Sequence, residues 1–225
     1  MRQILNPFDL STPGGRSKAY LDYLWTDHAY LRLGFRNAHQ VSDELWRANQ
    51  PWPFQLKQWK AQGIRTVINL RGGFDTSTYA LEREACERLG LTLVDFVVTS
   101  REIPSREQVR GARALFHTIA YPAVMHCKSG ADRAGIMSVY YAHFRLGQPI
   151  RQALGQLSLK YLHVRQGLTG VLDYVFERYL AEAEPQGLSF MDWVESDAYD
   201  PKGMKATFRA EWWGTLLTEK LARRE

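Results

Sequence analysis

Cysteine is nearly absent: two in 225 residues, too few for a disulfide framework. The six histidines are dispersed, and no cysteine–histidine group has zinc spacing, so neither a metal nor any other cofactor is expected. No apolar run reaches the length of a membrane span, and the N-terminus lacks the basic-then-apolar order of a secretory signal. Those absences lead to the expectation of a cytoplasmic protein without a transmembrane segment, in surroundings that keep thiols reduced. Gly-Lys-Ser/Thr does not occur, which excludes a Walker-type nucleotide site. A net charge of +5 is mild and suits anionic ligands, but the basic residues form no stripe, so nucleic acid is not expected. The one basic cluster, Lys220, Arg223 and Arg224, is short. There is no internal repeat and no low-complexity tract.

What is present is an ordinary globular composition, 45% hydrophobic and 24% charged, long enough for one full core with an appendage. One stretch stands apart, Val124-Met125-His126-Cys127-Lys128-Ser129-Gly130-Ala131-Asp132-Arg133-Ala134-Gly135. Ala123 to Met125 reads as a buried strand that ends at His126-Cys127. A tight loop with Gly130 and Gly135 follows, then a helix with Ile136, Val139, Tyr140 and Phe144 on one face. A strand feeding a loop that opens a helix is a ready anion site, because the loop and first-turn N–H groups lack intrahelical partners. Converging N–H dipoles and a nearby guanidinium favour thiolate over thiol at Cys127. The planar fork of Arg133 suits bidentate contact with a tetrahedral oxyanion. The chemistry implied is phosphoryl transfer to sulfur followed by hydrolysis of a phosphocysteine.

In these residues the chain resembles the cysteine-based protein tyrosine phosphatases, most closely the bacterial dual-specificity-like branch. The match is His126-Cys127, five residues, then Arg133, with Gly130 three after the cysteine. It extends upstream to Leu45-Trp46-Arg47-Ala48-Asn49-Gln50-Pro51 and Gly63-Ile64-Arg65-Thr66-Val67-Ile68-Asn69-Leu70-Arg71, and spans about Val41 to Leu180. The resemblance implies a metal-independent phosphatase with Cys127 as nucleophile and Arg133 as transition-state clamp. Lys128, Ser129, Gly130, Ala131 and Asp132 would supply backbone N–H groups to the phosphate, and His126 would order the loop. Phosphate, sulfate or vanadate would occupy the site. The substrate would be a phosphorylated protein, carrying phosphotyrosine or phosphoserine/threonine, or else a phosphoinositide, other phospholipid or sugar phosphate. A rhodanese-like sulfurtransferase also carries a cysteine between strand and helix, but generally on a shorter loop without this arginine spacing.

Two departures matter. The family's acid is usually an aspartate on a loop some thirty residues before the nucleophile. Asp95 has that separation but falls inside a predicted strand, Glu102 lies in the loop Thr99 to Ser105, and Asp132 within the phosphate loop is a third candidate. Many relatives carry Ser or Thr after the arginine, whereas this chain has Ala134, so either Ser129 takes over or release from the phosphoenzyme is slower. Arg47 and Arg71 end strands near the same rim, where substrate contact and internal pairing are both open, and His163 and Arg165 are similarly placed. Cys86 reads as a small buried residue, and by resemblance could form a protective disulfide with Cys127.

The remaining pattern predicts an α/β fold: a central, mainly parallel sheet of four to five strands flanked by helices, phosphotyrosine-phosphatase-like, with extra N- and C-terminal helices. Residues 1–40 form an arm and helix, 41–183 the catalytic domain and 184–225 a helical extension. Met1 to Gly15 reads as irregular and Ser17 to Leu33 as one helix, with His28, beside the charged Asp27, on its surface. Strands are expected at Val41–Arg47, Ile64–Leu70 and Leu91–Val98. Helices are expected over Thr78–Leu89, Glu107–Ile119, Pro149–Lys160 and Thr169–Ala183, with Thr169 as N-cap. Asp200-Pro201 would start a last helix carrying Phe208, Trp212, Leu216, Leu217 and Leu221 on one side.

Overall fold

The computed structural model describes residues 7–222, with side chains through residue 213. Leu216, Leu217, Leu221, Lys220, Arg223 and Arg224 lie outside the described side chains. By its internal contacts the chain divides into two compact units, one running to Val97 and including Thr118–Ala134, the other made of Val98–His117 and the chain from Gly135 onward.

In the first unit the expected single N-terminal helix is two. Helix α1 (Pro13–Trp25) starts inside the Pro-Gly-Gly breaker, because proline is tolerated at the first helical position and Thr12 Oγ1 accepts from Gly15 N–H. It stops at Thr26, and α2 (Leu31–Gly34) follows a bend in which His28 takes a positive φ of 56°. The predicted strand Val41–Arg47 is a hairpin, β1 (His39–Ser42) and β2 (Leu45–Asn49), because Asp43-Glu44 turns the chain. Next come α3 (Pro53–Ala61), β3 (Thr66–Asn69), α4 (Ser77–Leu89) and β4 (Thr92–Asp95). Strand β4 ends at Asp95, three residues earlier than expected.

After α5 (Arg106–Thr118), β5 (Ala123–Cys127) completes a five-stranded sheet of order β1-β2-β5-β3-β4, antiparallel only at β1. Strand β5 ends at Cys127, as expected, and is buried throughout because strands flank it on both sides. Leu56, Trp59, Ala85 and Cys86 of α3 and α4 pack with Val67 and Val124 on one face. Tyr23 and Ala19 of α1 pack on Trp52 and Leu81. The parallel strands end in register, Asn49 beside Cys127, Asn69 beside His126 and Asp95 beside Asn69. Their carboxyl ends form one edge, where open α/β sheets bind ligands.

Helix α6 (Asp132–Phe144) leaves that edge and continues into the second unit. There the expected helix Pro149–Lys160 is only α7 (Ile150–Ala153) followed by 3₁₀ turns at Leu154–Gln156 and Leu159–Tyr161. Helix α8 (Val171–Glu182) starts after a 3₁₀ turn, and Thr169 Oγ1 donates to Val164 O instead of capping it. A short α9 (Phe190–Glu195) lies within the expected helical extension, in a stretch for which the pattern predicts no individual helix. It exists because Phe190 and Trp193 pack with Tyr140, Phe176 and Tyr179. Helix α10 (Pro201–Ala222) starts at Asp200-Pro201 as predicted, with Asp200 Oδ1 accepting from Lys202 N–H. Among the described residues no helix is long and apolar enough to cross a membrane.

Helix α4 carries three residues that line a cleft at this edge, Thr78, Tyr79 and Glu82, and its start depends on Thr76, whose Oγ1 accepts from Tyr79 N–H at 3.2 Å. Replacing Thr76 with Ala should lower unfolding free energy by about 1 kcal/mol, measured by denaturant titration.

Candidate active site

Cys127 ends the central strand and is buried, its Sγ accepting from Gly130 N–H at 3.2 Å. The loop that follows turns its carbonyls away from the sulfur, and each meets a donor. Lys128 O accepts from Gln50 N–H at 3.4 Å and Ser129 O from Asn37 Nδ2 at 2.9 Å. Gly130 O and Ala131 O both accept from Arg47 Nη2, at 2.9 and 2.8 Å. In a trans peptide the C=O and the next N–H point in opposite directions, so four carbonyls drawn outward turn the N–H groups of residues 129–132 to the other side of the loop, where Gly130 N–H meets the sulfur and Ala131 N–H meets Ser129 Oγ at 3.4 Å. Asp132 then opens α6 and adds an N-terminal helix dipole of the sign that favours an anion.

Gly130 has a φ of +76°, and a Cβ there would lie 2.8 Å from the Ala48 carbonyl carbon and the Asn49 nitrogen. Glycine lets the loop rest directly on β2. Arg47, expected at the rim, is fully buried beneath the loop and is spent on its carbonyls.

His126 lies under the loop with Nε2 2.6 Å from Glu82 Oε1, both side chains buried. Glu82 Oε1 also accepts from Gln50 Nε2 at 3.1 Å, and Gln50 Oε1 accepts from Arg71 Nη1 at 2.9 Å. Arg71 grips Asp27 with both terminal nitrogens, at 2.7 and 3.1 Å. Arg32 donates to the same carboxylate, and Lys128 Nζ stands 3.4 Å from Asp27 Oδ1. Burial raises the Asp27 carboxyl, but Arg71 first, then Arg32 and Lys128, outweigh it and hold it below the usual aspartate range. Arg71 is therefore engaged internally, and Asp27 sits at the centre of three cations. No sequence signal marked it, because the bend that turns it inward breaks the periodicity.

Arg133, Arg71, Gln50, Asn69, Tyr79 and Glu82 line a cleft of about 160 Å³. Of residues 127–133, Arg133 is the one in that lining. Asp95 sits at the strand end, accepting from Asn69 Nδ2 at 2.9 Å and from Tyr79 O–H at 2.7 Å. Burial and then that bond to Asp95 raise the Tyr79 phenol. In the second unit, Glu102 is paired with Lys205 of α10. His163 there lies 2.6 Å from Asp173, and Arg165 2.6 Å from Glu177, both internal pairs. Cys86 is a free, buried thiol, pushed up by burial and then by Glu82 and Glu87, so it is not poised as a thiolate. Among the described residues no cluster of His, Cys, Asp or Glu could hold a metal.

A family profile described as DSP-PTPase phosphatase fused to NAD+ kinase matches residues 35–167. The chain belongs to this family of DSP-PTPase phosphatases. The phosphatase also shares its fold with solved structures of low identity. Tk-PTP in its active form is 21% identical, with a TM-score of 0.51 over 63% of this chain and 97% of that one. P. aeruginosa TpbA, solved in complex with pTyr, is 13% identical, with a TM-score of 0.51 over 72% of this chain and 91% of that one. No curated protein matches the phosphatase sequence. The first 34 residues, Asp27 and Arg32 among them, precede the matched part of the phosphatase.

Two outcomes follow from this geometry. Gly130→Ala should lower stability by more than about 1 kcal/mol, read by thermal or denaturant unfolding, since the position needs positive φ and has no room for Cβ. Because the Asp27 carboxyl is held down when folded, its contribution to stability is present above the usual aspartate value of 3.8 and is lost as pH falls below it. Asp27→Asn should therefore flatten the acid limb of the stability–pH profile.

Proposed function

We propose that this phosphatase hydrolyses phosphomonoesters through a phosphocysteine on Cys127. The observation that carries the reading is the loop whose four consecutive carbonyls are tied back while Gly130 N–H reaches the Cys127 sulfur. Cys127 Sγ attacks phosphorus and the bond from phosphorus to the leaving oxygen breaks. Arg133 and the N–H groups of residues 129–132 offset charge on the equatorial oxygens. A water then attacks the phosphocysteine, and sulfur leaves as thiolate. No residue after Arg133 assists that departure, since Ala134 has no hydroxyl, and Ser129 is the hydroxyl available in the loop.

The leaving oxygen needs a proton, and Asp132 is the donor we infer. It stands in the loop beside Arg133. Both oxygens of Asp95 already accept hydrogen bonds, and its strand lies two spacings from β5, about 10 Å away. Glu102 is occupied by Lys205. In the second half-reaction Asp132 takes the proton from the attacking water.

For substrate, phosphotyrosine and phosphoserine/threonine proteins are the first reading, in keeping with the pTyr held by TpbA, whose fold is shared. Phosphoinositides or other substrates with several anionic groups are the second, favoured by three cations around the single carboxylate Asp27 beside the loop. A thiolate nucleophile needs reducing surroundings, the reason for placing the protein in the cytoplasm.

Activity on p-nitrophenyl phosphate, phosphopeptides and phosphoinositides, assayed with chelator present, should be abolished in Cys127→Ser. Turnover retained by that variant would overturn the reading. Asp132→Asn should slow alkyl phosphates at least about 100-fold and p-nitrophenyl phosphate far less. The same split in Asp95→Asn or Glu102→Gln would move the acid role to that residue.

A further inference from the structure

Asp27 lies in the bend between α1 and α2, in a part of the chain that precedes the matched residues 35–167. Its side chain is 12% exposed and receives Arg71, Arg32 and Lys128. Two of those cations belong to the phosphate site, since Arg71 lines the cleft with Arg133 and Lys128 follows the nucleophile. Without a carboxylate between them, three positive groups would face one another at the rim. Glu82, in the same cleft, would then be an alternative partner for the Arg71 fork, yet Glu82 is the neighbour of His126.

We propose that Asp27 is a positioning residue of the phosphatase site, supplied by the N-terminal arm. By gripping Arg71 and drawing in Lys128 it fixes the cations at the rim. Through Arg71, Gln50 and Glu82 it sets His126 and the end of β5. Each link is a contact of 2.6–3.1 Å: Asp27 to Arg71, Arg71 to Gln50, Gln50 to Glu82, Glu82 to His126. The Gln50 amide can serve this chain in one orientation only, oxygen toward the guanidinium and nitrogen toward the carboxylate. Arg71 held by Asp27 dictates that orientation. The arm is thus part of the catalytic apparatus as well as a helix packed on Trp52 and Leu81.

The inference rests on Cys127 being the nucleophile, and the test separates the two. Full-length wild type, Asp27→Asn, Asp27→Glu, Arg71→Met, the Asp27→Asn/Arg71→Met double variant and Cys127→Ser are compared on p-nitrophenyl phosphate, well below their unfolding midpoints. kcat, KM and inhibition by inorganic phosphate are measured separately. Asp27→Asn should lose at least about tenfold in kcat/KM, with weaker phosphate inhibition, because displaced rim groups are felt in both ground state and transition state. Asp27→Glu should recover part of the loss, and the double variant should be no worse than Arg71→Met. A residue that only stabilised the fold would lower the midpoint and leave kcat and KM unchanged. That result, or additive losses in the double variant, would overturn the inference. Should Asp27→Asn fail to fold, Arg71→Lys keeps the charge but loses the two-pronged grip, and wild-type constants in it would overturn the proposal equally. Activity retained by Cys127→Ser sinks the phosphocysteine reading. An inert Cys127→Ser beside a wild-type-like Asp27→Asn sinks only the role of the arm.

Discussion

A loop that presents several N–H groups to one anion must turn as many carbonyls the other way, and those carbonyls need donors inside the protein. That constraint governs this molecule. Arg47 is buried to meet it at Gly130 and Ala131, Asn37 meets it at Ser129 and the Gln50 backbone at Lys128. All three donors come from one stretch, Asn37 to Gln50, that runs beneath the loop as the β1–β2 hairpin and its ends. Gly130 follows from the same demand, since the loop must touch β2 closely enough to be held. A buried guanidinium is costly to desolvate, and here two carbonyl acceptors offset that cost.

Around this cup the charges are layered. Nearest the sulfur are neutral N–H dipoles. Below lies the His126–Glu82 pair, shielded from solvent, and beyond it Gln50 couples that pair to Arg71. At the rim three cations share one aspartate, leaving net positive charge where an anionic ligand would approach. Arg133 lines the same cleft as Arg71.

The element pattern was largely legible, and its errors have definite causes. The Val41–Arg47 strand became a hairpin because two charged residues, Asp43-Glu44, carry a turn without glycine or proline to announce it. The Ser17–Leu33 helix broke at Thr26, where the chain bends through the positive φ of His28 before α2. The Pro149–Lys160 helix gave way to 3₁₀ turns, and α9 formed without a sequence pattern, since tertiary packing of Phe190 and Trp193 decides it.

The chain itself determined the chemistry contained in one contiguous run. A strand, a cysteine, a glycine-bearing loop, an arginine and a helix are neighbours in sequence, and local backbone geometry brings them together. Tertiary structure alone decided what surrounds that run. Arg47 reaches Gly130 across 83 residues and Asp27 reaches Arg71 across 44, and no periodicity or spacing encodes such meetings. They arise because parallel strands end at one edge and a bent arm folds back beside it, so that residues chosen for hydrogen bonding and charge balance meet only once the chain is packed.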